Sequence, residues 1–311
     1  MGFNLYFAGA GAIELDNYIA KNNCNRLCSQ LNERNTINKF INIRKEVNSS
    51  SNLFIDSGAW SAHSKQKEIN VDEYIKYLND NDAEFYIYAQ LDKIPGEFRK
   101  PKTLEQKLEA PKISWDNYLY MKDKVKTRDK LLPIFHQGED YKWLINMLEY
   151  VHPDTNTHIP YIGISPSNDL PVSQKIEFID KCFEIIKNSS NPNVKTHAFG
   201  MTSLKVLEQY PFTSADSTSW IMTGANGGIM TEIGIICVSE QQKYDRNHVL
   251  NLSEDNRKYV DNIISKYGFT LEELSKDYIK REIFNIAYLK NWADNYVYKP
   301  AQVKRNKLID F

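Results

Sequence analysis

The chain is poor in cysteine and has no long apolar run. Its four cysteines include a single close pair, Cys24 and Cys28, whose spacing predicts that both lie on one helix. A tetrahedral zinc site needs a second cluster of ligands, and none follows, so we expect reduced thiols and neither a bound metal nor another cofactor. No segment approaches the roughly 18 apolar residues of a membrane span, which predicts no membrane partner.

Charge of one sign is not in excess either. The 39 Lys and Arg residues stand against 40 Asp and Glu residues, a net charge of -1. Electrostatic binding of nucleic acid by the whole surface is therefore not expected, although a net charge of -1 is compatible with a local basic face. The first residues, MGFNLYFAGAG, lack the basic region that opens a signal peptide, which favours a cytoplasmic protein.

What the chain does have is a globular composition, 41% apolar and 25% charged, with regularly spaced apolar runs. The predicted strands are residues 5–8, 53–56, 85–88, 132–135, 161–164, 196–199, 213–216 and 229–238. Amphipathic patterns at 71–79, 141–150 and 172–187 predict helices between several of them. Strand and helix alternating about eight times predict an α/β fold, a single (β/α)8 TIM-type barrel over residues 1–240. An open doubly wound sheet is the alternative, but Gly9-Ala10-Gly11 is only a fragment of its phosphate loop.

Residues 241–311 have a different character. Three helices are predicted at 253–267, 270–278 and 281–295, and they form a C-terminal helical extension packed on the barrel. Ser253 is a candidate N-cap, and Thr270 with Glu273 has the spacing of a capping box. The final segment, from Lys299 to Lys307, is strongly basic.

Three carboxylates come at or just after predicted strands, where a barrel builds its active site. They are Asp56, Asp92 and Asp216. Trp60 and Phe199 add flat apolar faces near them. Each residue alone has an ordinary explanation, a turn for Asp56-Ser57-Gly58 or plain packing for the aromatic rings. Because independent turns need not fall at the same end of successive strands, the combination favours a site. His136 and His197 also end strands, and core packing remains open for both.

Paired carboxylates with aromatic walls suit chemistry at a glycosidic carbon. One carboxylate attacks or stabilises the anomeric centre, and the other moves protons on the leaving or incoming group. Aromatic faces hold a planar base by stacking, and a further carboxylate can accept hydrogen bonds from a purine-like edge. The pattern therefore indicates nucleoside chemistry.

These residues resemble the tRNA-guanine transglycosylase superfamily. The matching pieces, in the family's order over roughly residues 50 to 220, are Asp56-Ser57-Gly58-Ala59-Trp60, Gln137-Gly138, Gly163, His197-Ala198-Phe199-Gly200 and Asp216. The segments FIDSGAWSAH, PIFHQGED and FTSADSTSW are most similar to the short phage-type branch, which includes enzymes that place 7-deazaguanine bases into DNA. If a phage encodes the chain, the resemblance implies that it works in the host cytoplasm.

The resemblance implies a role for each matching residue. Asp216 would be the nucleophile that bonds to the ribose anomeric carbon, and Asp56 the general acid and base. Asp92 would read the edge of the base, with Trp60 and Phe199 above and below it. The remaining implied base-binding positions are Gln137, Gly138, Gly163 and Gly200.

The chain departs from the tRNA-modifying members of the family. They carry a zinc site of three cysteines and a histidine after the seventh strand, whereas here only Cys237 follows Asp216. Ala59 also replaces a family glycine. The expected reaction is therefore replacement of guanine by a free 7-deazaguanine base in nucleic acid, with DNA favoured over tRNA. A tRNA transglycosylase, a hydrolytic DNA glycosylase and a non-catalytic nucleic-acid or nucleoside-binding barrel remain alternatives.

Local positive charge would have to hold the nucleic acid. The candidates are Lys100 and Lys102 in the basic segment after the third predicted strand, and Lys304 and Arg305 near the C-terminus. Contacts there would be made to phosphate and would be largely blind to base sequence.

Overall fold

The computed structural model describes residues 2–167, 169–201 and 203–300, which form an α/β fold around a parallel sheet of nine strands. The strands are β1 (Asn4–Ala8), β2 (Asn25–Ser29), β3 (Leu53–Asp56), β4 (Ile87–Ala89), β5 (Leu131–Leu132), β6 (Ile134–His136), β7 (Tyr161–Ser165), β8 (Lys195–Ala198) and β9 (Ser214–Ser217). Their order across the sheet is β5-β4-β3-β2-β1-β9-β8-β7-β6.

Helices lie between most of the strands and cover the outside of the sheet. They are α1 (Ile13–Lys21), α2 (Gln30–Glu46), α3 (Ala59–Ser64), α4 (Val71–Asp80), α5 (Leu104–Lys124), α6 (Lys142–Glu149), α7 (Val172–Lys187), α8 (Leu204–Leu207), α9 (Ser219–Ala225), α10 (Glu254–Lys266), α11 (Leu271–Lys276) and α12 (Tyr278–Asp294). The helices predicted at 71–79, 141–150 and 172–187 are confirmed as α4, α6 and α7. No helix in the described ranges has both the length and the apolar character to cross a bilayer.

The sheet is curved into a nearly closed barrel, and its two edges meet at Pro133. Strands β5 and β6 lie at opposite ends of the strand order, yet this one residue separates them in the chain. Proline has no N–H to donate to a ladder, which interrupts the strand. Its carbonyl still accepts a hydrogen bond from the Gly163 N–H at 2.7 Å. The predicted barrel of parallel strands and helices is confirmed in class, but the strand count is nine rather than eight.

One predicted helix is wrong, because Cys24 lies directly before β2 and Cys28 lies within it. The strand was missed because its sequence, NRLCS, has no apolar run. Arg26 is fully buried there, with its guanidinium 3.0 Å from the Asp16 carboxylate and 3.5 Å from that of Glu33. It also donates to the carbonyls of Phe7, Leu27 and Ala10. A strand can thus bury a charge under its helices when every donor of that charge has an acceptor.

The strand predicted at 229–238 is also wrong as a barrel strand. The segment forms a separate antiparallel hairpin, β10 (Gly228–Thr231) and β11 (Gly234–Cys237). A two-residue turn at 232–233 joins the strands, and Gly234, the first residue of β11, has φ of +116°, a backbone conformation that favours glycine. The apolar run was long enough for one barrel strand, and only the turn residues distinguish the two arrangements.

The C-terminal helices lie against the barrel, and α12 packs on α1, α9 and β1. Asn285 of α12 is fully buried, donates to the Trp220 carbonyl at 3.0 Å and accepts from the Met230 N–H at 2.8 Å. The predicted caps are confirmed: Ser253 caps α10, and Thr270 with Glu273 forms the capping box of α11. These bonds satisfy polar groups that the helix ends would otherwise leave without partners.

The interior of the barrel is a layer of apolar side chains. Its buried members are Tyr6, Ala8, Leu27, Phe54, Ile87, Ala89, Leu132, Ile134 and Tyr161, with Phe199 packed against them. Within a strand these residues are two apart, because successive side chains of a strand point to opposite faces. The intervening residues, such as Ile55 and Tyr88, belong to the larger core beneath the helices.

Replacing Arg26 tests the buried charge of β2. We expect Arg26→Met to lower the free energy of unfolding, measured by urea denaturation, by about 3–5 kcal/mol, because Asp16 is left as a buried carboxylate without its partner. The matched control is Arg34→Met. Arg34 is an exposed arginine of α2 that bonds Gln30 and lies over the Tyr77 ring, so its loss should cost less than about 1 kcal/mol. If both variants lost the same free energy of unfolding, the stabilising role of the buried Arg26–Asp16 pair would be contradicted.

Candidate active site

The polar site begins where the apolar layer of the barrel ends. Asp56 lies two residues after Phe54, and His136 two residues after Ile134, so both continue the inward-facing rows. Asp216 continues the row of Ser214 on β9 in the same way. Because all of these strands are parallel, their carboxyl ends meet at one end of the barrel.

Asp56 is held by the turn that leads into α3. Its Oδ2 accepts a hydrogen bond from the Gly58 N–H at 3.0 Å. Gly58 has φ of +81°, and a Cβ there would lie 2.6 Å from the Leu31 Cβ. Only glycine fits this turn, so Asp56-Ser57-Gly58 is both the tight turn and the carrier of the carboxylate.

The surroundings of Asp56 favour its protonated form. Burial raises the pKa of this carboxyl, and the nearby Asp92 and Asp216 carboxylates raise it further, to about 7, against the opposing hydrogen bond from Gly58. A carboxyl with such a pKa can both give and take a proton near neutral pH.

Asp216 has a different environment. Its side chain is nearly buried, and its Oδ1 accepts from the Gly200 N–H at 2.9 Å and lies 3.2 Å from His197 Nε2. Both of these contacts involve the same oxygen, and none of the described residues donates a hydrogen bond to Oδ2. Oδ2 is therefore the oxygen with electron pairs available to a ligand. Gly200 reaches this position with φ of +60°.

Asp92 is clamped by a histidine rather than left free. His136 lies between two carboxylates, with Nε2 3.3 Å from Asp92 and Nδ1 3.1 Å from Glu139. Burial lowers the pKa of His136, but the two carboxylates outweigh it and raise the pKa to about 10. The other Asp92 oxygen accepts from the Gln90 side chain at 2.8 Å. At neutral pH His136 is therefore an imidazolium held between the side chains of Asp92 and Glu139.

Phe199 is half-buried at the top of the apolar layer, with its ring 4.5 Å from that of His197 between centroids. Gly163 makes room for it: a Cβ on Gly163 would lie 2.5 Å from a ring carbon of Phe199. Gly163 lies inside strand β7 and is buried, so in this structure it supports the aromatic ring instead of forming a loop.

Trp60 stands apart from Phe199, on the outer rim. Its side chain is 61% exposed, and its ring lies 6.1 Å from those of both His63 and Phe98 between centroids. The Arg99 guanidinium lies 5.1 Å from the Phe98 ring. Burial lowers the pKa of His63, and the positive charges of Lys102 and Lys93 lower it further. The rim therefore combines exposed aromatic rings with positive charge, and we call Trp60, His63, Phe98, Arg99 and Lys102 the aromatic-basic rim.

Gln137 and Gly138 follow β6. The Gln137 amide donates to the Gln174 carbonyl and accepts from the Ser167 N–H, both at 3.0 Å, which joins β6 to the segment around α7. Gly138 is exposed, with φ of +101° and open space where a Cβ would be. The predicted Lys100 pairs with Glu97 at 2.5 Å, while Lys304 and Arg305 lie outside the described residues.

Sequence reasoning left several residues of the site without a role. His136 and His197 were found at strand ends but could not be distinguished from core histidines. Ser214 and Tyr161 were not found, although both lie on inward-facing rows of the predicted strands. Period-two spacing from Asp216 and Gly163 was the signal that could have identified them.

No group of three His, Cys, Asp or Glu residues has metal-binding geometry within the described ranges. Cys24, Cys28, Cys182 and Cys237 are each buried and unpaired. Burial raises the pKa of the Cys24 and Cys28 thiols to about 12, so both are protonated and unreactive at neutral pH.

The raised pKa of Asp56 predicts that Asp56→Asn increases the melting temperature, and that the increase depends on pH. Because the folded pKa lies above the unfolded value, the protonated carboxyl stabilises the fold at low pH, and this contribution is lost as the pH rises through about 7. Asparagine stays neutral and still accepts from the Gly58 N–H. We expect the variant to melt several degrees above the wild type at pH 8, with the difference shrinking toward pH 5. Asp261→Asn, which replaces an exposed carboxylate of α10, is the control and should not show this pH dependence. An increase in the melting temperature of Asp56→Asn that is the same at every pH would contradict the raised pKa.

No family model matches the sequence, and no curated protein matches it significantly. The resemblance to the guanine transglycosylases rests on the short motifs alone and stays a prediction. A function is therefore proposed from the geometry of the carboxyl groups at the strand ends and from the raised pKa of Asp56.

Proposed function

We propose that the protein is a base-exchange glycosyltransferase that replaces guanine in nucleic acid with a 7-deazaguanine base. The observation that carries the proposal is the contrast between two neighbouring carboxyls. Asp56 has a pKa near 7 and can carry a proton, whereas Asp216 has one oxygen anchored by Gly200 and His197 and the other available. Carboxyl pairs in contrasting environments divide acid–base and nucleophilic roles between them.

In the first half-reaction, Asp216 Oδ2 attacks C1′ of the target nucleoside. The new bond is a glycosyl ester of the carboxylate, and the bond between C1′ and N9 of guanine breaks. Asp56, in its protonated form, gives its proton to the departing guanine. The aspartyl ester preserves the sugar–phosphate chain while the base leaves.

In the second half-reaction, a free 7-deazaguanine occupies the vacated position. Asp56, now ionised, takes the N9–H proton, and N9 attacks C1′ as the bond to Asp216 breaks. Two displacements at C1′ give net retention of configuration. Proton and charge balance over the cycle, because Asp56 returns to its protonated form and Asp216 to its carboxylate.

Asp92 and the aromatic rings would recognise the base. An ionised Asp92 accepts from the N1–H and the amino group on the guanine edge, and His136 holds that carboxylate in place. Phe199 offers a face inside the pocket and Trp60 one at the rim. Gln137 and Gly163 are proposed to shape the pocket wall, since the Gln137 amide joins β6 to the segment around α7 and Gly163 packs against Phe199, while the exposed Gly138 leaves open space beside them.

DNA is the favoured nucleic acid, and tRNA the second. The zinc-supported region of the tRNA-modifying enzymes has no counterpart in the sequence, in which a single cysteine follows Asp216. In duplex DNA the target nucleotide must leave the stack before C1′ is accessible. The exposed rings and the cations of the aromatic-basic rim suit an unstacked strand beside the pocket.

Exchange and trapping with Asp216→Ala test the proposal directly. The wild type should incorporate labelled guanine or 7-deazaguanine into DNA, with tRNA offered in parallel. It should also form a covalent protein–nucleic acid complex that survives a denaturing gel. Asp216→Ala should lose both activities completely, because the attacking oxygen is gone.

Asp261→Ala is the matched control, since Asp261 is an exposed carboxylate on α10. It should keep both activities. A covalent complex in Asp216→Ala would exclude this residue as the nucleophile. Persistent abasic sites without a free base would show hydrolysis instead of exchange.

The salt dependence of DNA binding tests the aromatic-basic rim. Replacing Arg99 and Lys102 by glutamine should flatten the log–log slope of affinity against salt by about one unit for each phosphate that these cations neutralise in the wild type. Lys100, which pairs with Glu97, should contribute less. Lys304 and Arg305 can be neutralised separately as the second predicted site of phosphate binding.

The control is the double variant Lys187→Gln with Lys195→Gln. These exposed lysines end α7 and begin β8, so they lie at the opposite end of the barrel from Asp216. Their replacement should leave the slope unchanged. If the control flattens the slope and the rim variant does not, DNA binds a different face.

A further inference from the structure

The geometry points to a hydrogen-bonded chain, Tyr161–Ser214–His197, that positions Asp216 for attack from inside the barrel. We propose that its three members are positioning residues, since all three are buried and are joined to Asp216 by successive hydrogen bonds. This inference rests on the proposed function, because it assigns how the nucleophile of that reaction is oriented.

The chain is continuous from the centre of the barrel to the carboxylate. The Tyr161 hydroxyl lies 2.5 Å from Ser214 Oγ, which lies 2.5 Å from His197 Nδ1. His197 Nε2 then lies 3.2 Å from Asp216 Oδ1. Strand register produces this path, because Gly163 pairs with His197 and His197 with Ser214 across β7, β8 and β9.

Only one direction of donation satisfies the chain when Asp216 is an anion and His197 is neutral. An ionised carboxylate accepts hydrogen bonds, so His197 must donate from Nε2. Nδ1 of the neutral ring is then an acceptor, and the Ser214 hydroxyl donates to it. Ser214 Oγ in turn accepts from the Tyr161 hydroxyl. Every proton in the chain has an acceptor, and the imidazole is fixed in its Nε2–H tautomer.

Among the described residues, Ser214 and Asp216 are the hydrogen-bond partners of the His197 ring, and aromatic rings pack around it. Its ring is fully buried, with centroids 4.8 Å from Phe54, 4.5 Å from Phe199 and 5.9 Å from Tyr6. A histidine in an apolar shell needs both ring nitrogens satisfied, because an unpaired buried polar atom is costly. The apolar shell thus holds the ring plane, and the hydrogen-bonded chain holds the tautomer.

The consequence for Asp216 is a fixed carboxylate plane. His197 and the Gly200 N–H both engage Oδ1, from the side of β8 and from the loop after it. Rotation about the Cβ–Cγ bond would break both contacts, so Oδ2 keeps one direction. Orientation of this kind converts a free carboxylate into a poised nucleophile.

Matched variants of His197 separate positioning from packing. His197→Leu removes the donor, whereas His197→Gln keeps an N–H near the Nε2 position. In single-turnover trapping at saturating nucleic acid, we expect His197→Leu to be slowed about 100-fold. We expect His197→Gln to recover most of that loss, and KM for nucleic acid to change less than about threefold in both variants.

Variants farther along the chain should have graded effects. Ser214→Ala removes the donor to Nδ1 and should slow trapping about tenfold, the lower end of what the loss of a hydrogen bond that orients a histidine costs at metal sites. Tyr161→Phe leaves the Ser214 hydroxyl able to donate to Nδ1 and should have the smallest effect. These two variants keep the test decisive if His197→Leu does not fold. His152→Gln, which replaces a buried histidine outside the pocket, is the control and should trap at the wild-type rate.

A spectroscopic measurement tests the chain without any activity. The imidazole ¹⁵N shifts of the wild type should show His197 as a neutral ring protonated at Nε2, with its signals identified by their loss in His197→Gln. Ser214→Ala should mix the two tautomers. A wild-type ring protonated at Nδ1 would overturn the proposal.

The failures of the two proposals are distinguishable. If the wild type neither exchanges bases nor forms a covalent complex, the proposed function is wrong, and the tautomer still decides whether the chain exists. If the wild type exchanges bases but His197→Leu and Ser214→Ala trap at its rate, the positioning role is wrong and the function stands.

Discussion

The strand residues of the site, Asp56, His136 and Asp216, depend on the alternation of side chains between the two faces of a nearly closed parallel sheet. Because the rows that face inward are apolar at the centre and polar at the carboxyl end, a dry layer lies beneath a ring of ionisable groups. Phe54 and Asp56 are consecutive members of one such row. The apolar layer excludes water from below, so charges at the rim interact strongly with one another.

That constraint explains why three nearby carboxyls differ. Asp92 is compensated by His136, and Asp216 is hydrogen-bonded by Gly200 and His197. Among the described residues Asp56 accepts a hydrogen bond from the Gly58 N–H alone, and its burial together with the nearby Asp92 and Asp216 carboxylates raises its pKa to about 7. The difference between the three carboxyls follows from their surroundings and partners, and not from the residue type.

The strands that the sequence predicted were those with apolar runs, such as β3 and β7. Strand β2 was missed because its stabilisation comes from Arg26 and the carboxylates of Asp16 and Glu33, contacts that local pattern cannot reveal. The 229–238 segment was assigned to the barrel because an apolar run has the same appearance in a hairpin. Pro133 is visible in the sequence, but its position at the closing edge of the sheet depends on which strands pair.

The sequence by itself determined the α/β class, the carboxyl-end location of Asp56, Asp92 and Asp216, and the glycine turn after Asp56, because period and turn chemistry are local properties. Only the tertiary structure decided which groups meet. His136 reaches Asp92, His197 connects Asp216 to Ser214 and Tyr161, and Trp60 lies on the rim with Phe98 while Phe199 packs over Gly163. These contacts join residues far apart in the chain, and strand register with barrel curvature sets them.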